Sequence, residues 1–404
     1  MGNNEMNILW ISYRVPYDSV AHAGGQIHNF YLKSLVRHRD VQLKLITQSA
    51  EGLPKELDLA AYGIDYDLFY RKKGAADIFW KLCNLETRCN PWNRYAGFAY
   101  NSETVPIIGR LRKLAGSGWK PDVILLHWTQ TVLLTDMAKR LFPRAKLIAI
   151  EEDVSFQAVE RKAEKASPGF QRRWLQRRAK QLKAMELDAL RKAALIVTNN
   201  PKDVRLLQKQ QIAVPFFTWA PYFHDMTGIS RHQQNNDILF YGAMQRRENS
   251  ESVLWLIRNV LPLLEDLDVH LTVIGKNPPS CLTEIADERV TLTGYVKDIE
   301  PYFEKAMCFA APLVLGAGIK VKVLEALSAG IPVLTNRVGI EGIPARDGIE
   351  YFHCETKEEY AQCIRDIYTG KRRLRPEQPK GFIRQNYCCE KDAEAFYEQL
   401  TKLV

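Results

Sequence analysis

Short runs of consecutive aliphatic residues, each closed by a polar or glycine-rich turn and followed by helical periodicity, recur along this chain. In its first half they fall at residues 8–12, 41–47, 123–126, 146–150 and 195–198. Ile, Leu and Val on successive positions, rather than alternate ones, are what a strand buried on both faces requires. Between the first two runs lies QIHNFYLKSLVRH, with Ile27, Phe30, Tyr31 and Leu35 at helical spacing. A strand–helix–strand unit repeated in this way predicts a parallel sheet covered by helices on both sides.

The pattern pauses over AVPFFTWAPYFHDMTGISRHQQNND, where two prolines and exposed polar residues show no clear period. It restarts with runs at 238–241, 271–274, 290–292, 308–311 and 333–335, again with helices between. The expected fold class is therefore α/β, with two Rossmann-like doubly wound parallel-sheet domains. The boundaries are a first domain at 1–212, a linker at 213–236, a second domain at 237–385 and a C-terminal helix at 386–404. A length of 404 residues suits two cores better than one. Doubly wound sheets bind ligands at the carboxyl ends of their strands, so two of them facing each other would place a ligand in the cleft between.

Composition removes several alternatives. Apolar residues at 46% and charged residues at 25% are globular values and leave no room for a large disordered region. The apolar runs fall far short of the roughly 20 residues that cross a bilayer. The start, MGNNEMN, lacks the basic region of a signal peptide, so a cytoplasmic protein is expected. The eight cysteines show no CxxC and no repeated spacing, which argues against zinc sites and a disulfide framework. A net charge of +9 suits phosphate-bearing substrates or an anionic membrane surface, and no familiar nucleic-acid signature accompanies it.

The segment richest in chemistry is APLVLGAGIKVKVLEALSAGIPVLTN. A buried strand runs into a loop broken by Gly316 and Gly318, and a helix is expected to start near Ile319 or Lys320 and stop at Gly330. Glycines before a helix let backbone N–H groups approach a ligand, and the helix N-terminus favours an anion such as phosphate. Lys320 and Lys322 place positive charge where the macrodipole disfavours it, which points to an anion nearby. Glu325, three positions beyond Lys322, shares its helix face and could accept bonds from the two vicinal hydroxyls of a ribose. The residues alone fit a second reading equally: an amphipathic helix burying Val321, Leu324 and Leu327 beneath a surface Lys322–Glu325 pair.

GIKVKVLEALSAGIPVLT closely resembles the donor-binding segment of the group 1 (family 4 type) glycosyltransferases, retaining enzymes of the GT-B kind. The resemblance runs over nearly the whole chain. ILWISYRVPY followed by AGGQIHNFYLKSL is similar to the family's first strand, glycine loop and first helix. ILFYGAMQRRENSESVLWLIRNVLPLL, LTVIGKNPP and VTLTGYVKDIEPYFEKAMCFAAPL follow its second-domain order, closest to the branch associated with bacterial exopolysaccharide assembly. The resemblance implies that Gly24 and Gly25 let the backbone approach the donor diphosphate, with Gly242 and Arg246 or Arg247 facing it from the second domain. It implies further that Tyr295 and Val296 hold the base, that Glu325 binds the ribose, and that Lys320 or Lys322, beside Gly318, bind the phosphates. His127, in PDVILLHWTQ, matches the family's histidine after a first-domain strand and would contact the transferring sugar or the acceptor. Without the resemblance, a core histidine satisfied by a backbone carbonyl is the better reading.

The sequence departs from the family at two places. The glutamate common eight positions before Glu325 is here Ala317, and the usual lysine after Gly242 gives way to MQRRENSES, with arginines and Asn249. EEDVSF ends another strand with Glu151, Glu152 and Asp153. Acceptor-hydroxyl binding is one role for them, and a plain helix N-terminus facing solvent is the commoner one. No metal and no cofactor are expected beyond the donor, as in the family.

Two stretches bear on the acceptor. ERKAEKASPGFQRRWLQRRAKQLKAMELDALRKAA is strongly basic, with Leu175, Ala179, Leu182, Met185 and Ala189 as one apolar stripe. KKGAADIFWKLCNLETRCNPWNRYAGFAY mixes Trp80, Trp92, Tyr95 and Phe98 with basic residues. Either could touch an anionic membrane, although a solvated charged face over a core stripe is the ordinary reading of the first. The expected function is thus transfer of a sugar, with retention, from a nucleotide-diphosphate-sugar to a glycan or lipid-linked acceptor, in bacterial polysaccharide or glycoconjugate biosynthesis. The alternatives are a nucleotide-sugar epimerase of the same fold and a non-catalytic sugar-nucleotide-binding subunit.

Overall fold

The structure, a computed structural model, describes residues 5–20, 22–49, 52–54, 56–70, 75–89, 98–232, 234–314 and 318–404, side chains 75–77 and 88–89 apart. Gly316, Ala317, Trp92 and Tyr95 lie outside the described residues. The chain forms two compact units, Met1–Tyr222 with Cys389–Val404, and Phe223–Cys388.

The first unit is built on β1 (Met6–Ser12), β2 (Val41–Ser49), β3 (Asp65–Tyr70), β4 (Val123–His127), β5 (Lys146–Glu151), β6 (Leu195–Thr198) and β7 (Phe216–Thr218). They form one sheet in the order β3-β2-β1-β4-β5-β6-β7, parallel throughout. The continuous aliphatic runs of β1, β4 and β5 occupy its centre, and Ile8, Leu9, Trp10 and Ile11 are fully buried. Two strands escape the sequence pattern. DYDLFY of β3 alternates and lies half exposed at the sheet edge, and β7 is three residues long.

The second unit carries β8 (Asp237–Tyr241), β9 (His270–Ile274), β10 (Val290–Gly294), β11 (Cys308–Ala311), β12 (Val333–Thr335) and β13 (Phe352–His353). Their order is β10-β9-β8-β11-β12-β13, again all parallel. Five of the six match the expected runs, and the two-residue β13 is too short to announce itself.

Both sheets reverse strand order at one point, between β1 and β4 in the first unit and between β8 and β11 in the second. Connections leave such a pair in opposite directions, opening a crevice at its carboxyl end. His127 ends β4, and Tyr241 ends β8.

Residues 213–236, expected as an irregular linker, are not irregular throughout. Phe216–Thr218 completes the first sheet because its N–H and C=O groups pair with Ile196–Thr198 of β6. Trp219 is fully buried, stacked 3.7 Å from the Tyr31 ring and 4.5 Å from Phe396. The helix Cys389–Leu403, which supplies Phe396, packs on the helix Ala23–Leu35 within the first unit. Asp392 accepts the Ala220 N–H at 3.0 Å.

Candidate functional site

In the first unit, the crevice between β1 and β4 is lined by aromatic rings. His127 is completely buried, and its centroid lies 4.5 Å from His28, 4.3 Å from Trp128 and 5.8 Å from Trp10. Trp128 follows β4 with φ of 69°, a left-handed conformation that costs a bulky residue steric energy and marks sites where side-chain direction matters. The strand edge thereby turns so that the Trp128 side chain hydrogen-bonds Glu152.

Glu152 belongs to the loop after β5. Its Oε1 is 2.8 Å from His127 Nε2, and its carboxyl group is nearly buried. Burial lowers His127 to about 3 and raises Glu152 to about 8, the Trp128 bond opposing the latter in part. This contact has ion-pair geometry, yet both groups favour their neutral forms because neither charge is solvated. A neutral carboxyl group donating to Nε2 fits the geometry. His127 Nδ1 is buried and has no hydrogen-bond partner among the described residues. His28 is likewise held neutral by burial and by His127, with the Arg14 backbone opposing.

The three acids of EEDVSF have three different fates, and the simple solvated helix start is not among them. Glu151 is fully buried, accepts a 2.6 Å bond from Thr129 Oγ1, and is pushed well above the carboxylate range by burial and then by Glu186. Glu152 pairs with His127, and only Asp153 is exposed. The N-terminus of the helix Ser155–Lys165 is capped from elsewhere: Glu186 accepts the N–H groups of Ser155 and Phe156 at 2.9 Å each. Glu186, missed at the sequence level, is 31 residues from the Ser155 N–H that it accepts, so no local motif reveals it.

Gly24 and Gly25 sit in the first turn of the helix Ala23–Leu35 rather than in a separate loop. Gly25 donates its N–H to His22 Nδ1 at 2.8 Å, an N-cap, so that group is engaged within the fold rather than presented to a diphosphate. A Cβ on Gly25 would meet Val20 at 2.6 Å, and one on Gly24 would meet Glu152 Oε2 at 2.7 Å. Gly24 therefore borders the His127–Glu152 pair.

The second unit gathers its chemistry where β8 ends. The helix Val321–Ala329 begins one residue later than expected, with Lys320 as its N-cap. Lys322 and Glu325 do not form a surface pair: Glu325 is buried and Lys322 is half-buried within the unit. Val323, Leu324 and Leu327 anchor the helix in the core, and the next residues round the helix are drawn inward with them. Lys322 Nζ hydrogen-bonds Asn249 Oδ1 and lies 4.9 Å from the Phe240 ring centroid. Asn249 in turn donates to the Ala243 carbonyl at 2.8 Å. Burial, and then Arg246, lower Lys322 to about 7, while Glu248 and Glu325 oppose.

Glu325 rises to about 7 by burial, against a 3.3 Å bond from the His224 N–H and the charge of Lys322. Gly242 closes the cluster. A Cβ there would lie 2.6 Å from Lys322 Nζ, and a Cβ on Gly275 would lie 2.0 Å from the Gly242 carbonyl oxygen. Only glycines allow the ends of β8 and β9 to meet this closely.

The other expected donor residues stand on the surface. Arg246 is 62% exposed and pairs with Glu248 at 2.5 Å, and Tyr295 is 74% exposed, with Val296 half-buried beside it. Lys320 turns its ammonium back on the Gly318 carbonyl. His224 and Asn249 join the cluster through contacts that sequence periodicity does not encode.

A half-buried lysine in the first turn of a helix, beside glycines at the strand ends, is a place where an anion would be favoured. The helix N-terminus and the ammonium both gain from a nearby phosphate, and Glu325 offers acceptors for hydroxyls.

Residues 235–370 match the family described as glycosyl transferases group 1. A protein of Klebsiella pneumoniae, described as an uncharacterized 44.6 kDa protein in the cps region, is 23% identical over 140 residues. That match spans 32% of this chain and about a third, 36%, of the Klebsiella protein. Among solved structures, sucrose-phosphate synthase of Thermosynechococcus elongatus superposes with a TM-score of 0.69 at 13% identity, covering 99% of this chain and 100% of that one. Anabaena HepE in complex with UDP-glucose gives 0.63 at 13% identity, covering 98% and 100%. The lipopolysaccharide outer core galactosyltransferase WaaB gives 0.62 at 10% identity, covering 98% and 100%. The fold is that of the solved GT-B glycosyltransferases, and the likeness to the group 1 glycosyl transferases is confined to residues 235–370 of the second unit.

Proposed function

We propose that this chain, whose residues 235–370 match the group 1 glycosyl transferases, transfers a sugar from a nucleoside-diphosphate-sugar to a hydroxyl of a glycan or lipid-linked acceptor. The carrying observation is the cluster of half-buried Lys322 with buried Asn249 and Glu325 beside Gly242, at the strand-order reversal of the second sheet and inside the matched segment. Lys322 and the N-terminus of Val321–Ala329 would neutralise the departing diphosphate, and Glu325 would take the ribose hydroxyls. His127 would hydrogen-bond the sugar or the acceptor, fixed in direction by Glu152. UDP-sugars are the first donors to try, since HepE was solved with UDP-glucose.

Retention at the anomeric carbon and metal independence follow the resemblance of GIKVKVLEALSAGIPVLT to the retaining family. Polysaccharide or glycoconjugate assembly in the cytoplasm is the setting that fits best, and the cps-region protein of Klebsiella is consistent with it.

The test is a thermal-shift screen of the purified chain against UDP-, GDP-, ADP-, CDP- and dTDP-sugars, with and without Mg²⁺. A ligand bound only by the folded state raises the midpoint. A shift from one nucleotide class, unchanged by EDTA and lost in Glu325→Ala, supports the donor site. No shift from any of them contradicts it. Transfer to an added acceptor, with the product's anomeric configuration read by NMR, then tests catalysis and retention.

A further inference from the structure

The helix Ala75–Cys89 faces the wrong way for a helix of a soluble surface. Ile78, Leu82 and Leu85, spaced four and three residues apart, form one stripe, and they are 62%, 64% and 53% exposed. Phe79 beside them is 59% exposed. The inward face is polar instead: Thr87 is fully buried, and Asn84 donates to Ser102 Oγ at 3.0 Å while accepting the Ser102 N–H at 3.1 Å. Asn101 clamps the same helix, donating to the Cys83 carbonyl at 3.1 Å and to Glu86 at 3.0 Å. These bonds fix the rotation of the helix against Asn101–Gly116, so the apolar stripe is held outward rather than left there by looseness. A contiguous exposed apolar stripe held in place marks a docking surface.

Charge identifies the occupant. The helix Phe170–Arg191 has six basic and no acidic residues over 170–185. Its first turns expose Phe170 at 85% and Trp174 at 42%, with the Arg178 guanidinium 4.6 Å from the Trp174 ring. Arg178 also interacts electrostatically with Tyr100, the N-cap of Asn101–Gly116, whose first turn clamps the apolar helix. The apolar stripe and the arginine-rich turns thus border the same helix end. A second copy of the chain would bring the same positive charge and repel it. Anionic headgroups over an apolar interior match both features.

We propose that the first unit docks on an anionic lipid surface, inserting Ile78, Phe79, Leu82 and Leu85 while the first turns of Phe170–Arg191 contact headgroups. The surface lies wholly in the first unit and does not depend on the donor chemistry of the second.

Flotation of the full chain with vesicles tests this, comparing phosphatidylcholine alone with vesicles containing about 30 mol% phosphatidylglycerol. Binding to the anionic vesicles is expected to be at least about tenfold tighter and to weaken with added salt. The exposed triple variant Ile78→Ser, Leu82→Ser, Leu85→Ser should lose at least about tenfold in vesicle affinity while melting at the wild-type temperature. Arg173→Glu with Lys180→Glu should erase the preference for anionic vesicles. Equal binding to both vesicle types, or binding to neither, overturns the proposal. So does a wild-type dimer that becomes monomeric in the triple variant without vesicle binding by either protein.

Discussion

His127 Nε2 and Glu152 Oε1 lie 2.8 Å apart, and burial favours the neutral form of each. Between about pH 3 and about pH 8 the pair then holds a protonated carboxyl group against a neutral imidazole. The imidazole proton is left on Nδ1, the buried atom without a partner among the described residues. The contact thus fixes the tautomer of the ring whose proposed role is to meet a bound hydroxyl.

His127→Ala should therefore lower turnover by roughly 100-fold, the range of a lost polar contact to a reacting group. Glu152→Gln keeps an N–H toward Nε2 and should retain most activity. In the wild type, Glu152 ionises as pH rises through about 8, and the carboxylate then demands the proton on Nε2. Turnover should fall there in the wild type and stay level in Glu152→Gln. Steady-state kcat from pH 5.5 to 9.5 checks this, and identical profiles would exclude the pair as the titrating element.

Lys322 and Glu325 predict a bell-shaped donor affinity. Lys322, lowered to about 7, is cationic below that pH, and Glu325, raised to about 7, is anionic above it. A diphosphate needs the first state and ribose hydroxyls prefer the second, so binding should be tightest near neutrality. Lys322→Met should remove the alkaline limb and Glu325→Gln the acid limb, each weakening binding by roughly tenfold or more at pH 7. Calorimetric titration with the donor identified by thermal shift measures all three proteins. A single monotonic profile in the wild type would refute the paired assignment.

Much of this architecture was legible in the sequence because buried parallel strands write themselves as unbroken aliphatic runs. Ten of the thirteen strands among the described residues coincide with the expected runs, although β2 and β10 interrupt theirs with polar residues. The edge strand β3 alternates, while β7 and β13 are too short for any period to show. His127, Lys322 and Glu325 were visible because each follows a strand or opens a helix. Their partners were not. Glu152 read as one of three equivalent acids, and Glu186 and His224 reach their contacts across long separations that no local spacing encodes. Whether Lys322–Glu325 lay on the surface or inside was undecidable from periodicity, since both residues flank the apolar arc.

Gly275 should be intolerant of any side chain. Its ideal Cβ would fall 2.0 Å from the Gly242 carbonyl oxygen, a backbone atom that cannot rotate away. Gly275→Ala must spread the ends of β8 and β9, at a cost of about 2 kcal/mol or more. The displaced Gly242 borders Lys322, so donor affinity should drop with stability. Gly24→Ala provides the contrast. Its Cβ meets only the carboxyl tip of Glu152, at 2.7 Å, which can swing aside. That variant should melt within a few degrees of wild type yet lose turnover, because Glu152 leaves His127. Melting curves and kcat for the two variants test the distinction, and equal stability losses would contradict it.

The buried acids of the first unit make its stability depend on pH in a definite direction. Glu186 and Glu152 are raised to about 8, and Glu151 is raised well above the carboxylate range. Each keeps its proton in the folded state where the unfolded chain, with an ordinary carboxylate near 4.5, has lost it. Stability from these groups is fully present below about pH 4.5 and is lost as pH rises through about 8. His127, lowered to about 3, works oppositely up to its unfolded value of 6.5, so the net decline should steepen above that pH. Each group contributes up to about 1.4 kcal/mol per pH unit within its window. Glu186→Gln removes one contribution and weakens the cap on Ser155 and Phe156, so it should be less stable than wild type at pH 5.5 and close the gap by pH 8.5. Seven of the eight tryptophans lie in the first unit, so fluorescence-detected melting reports on it selectively. Parallel pH profiles for the two proteins would show that Glu186 ionises normally in the folded state.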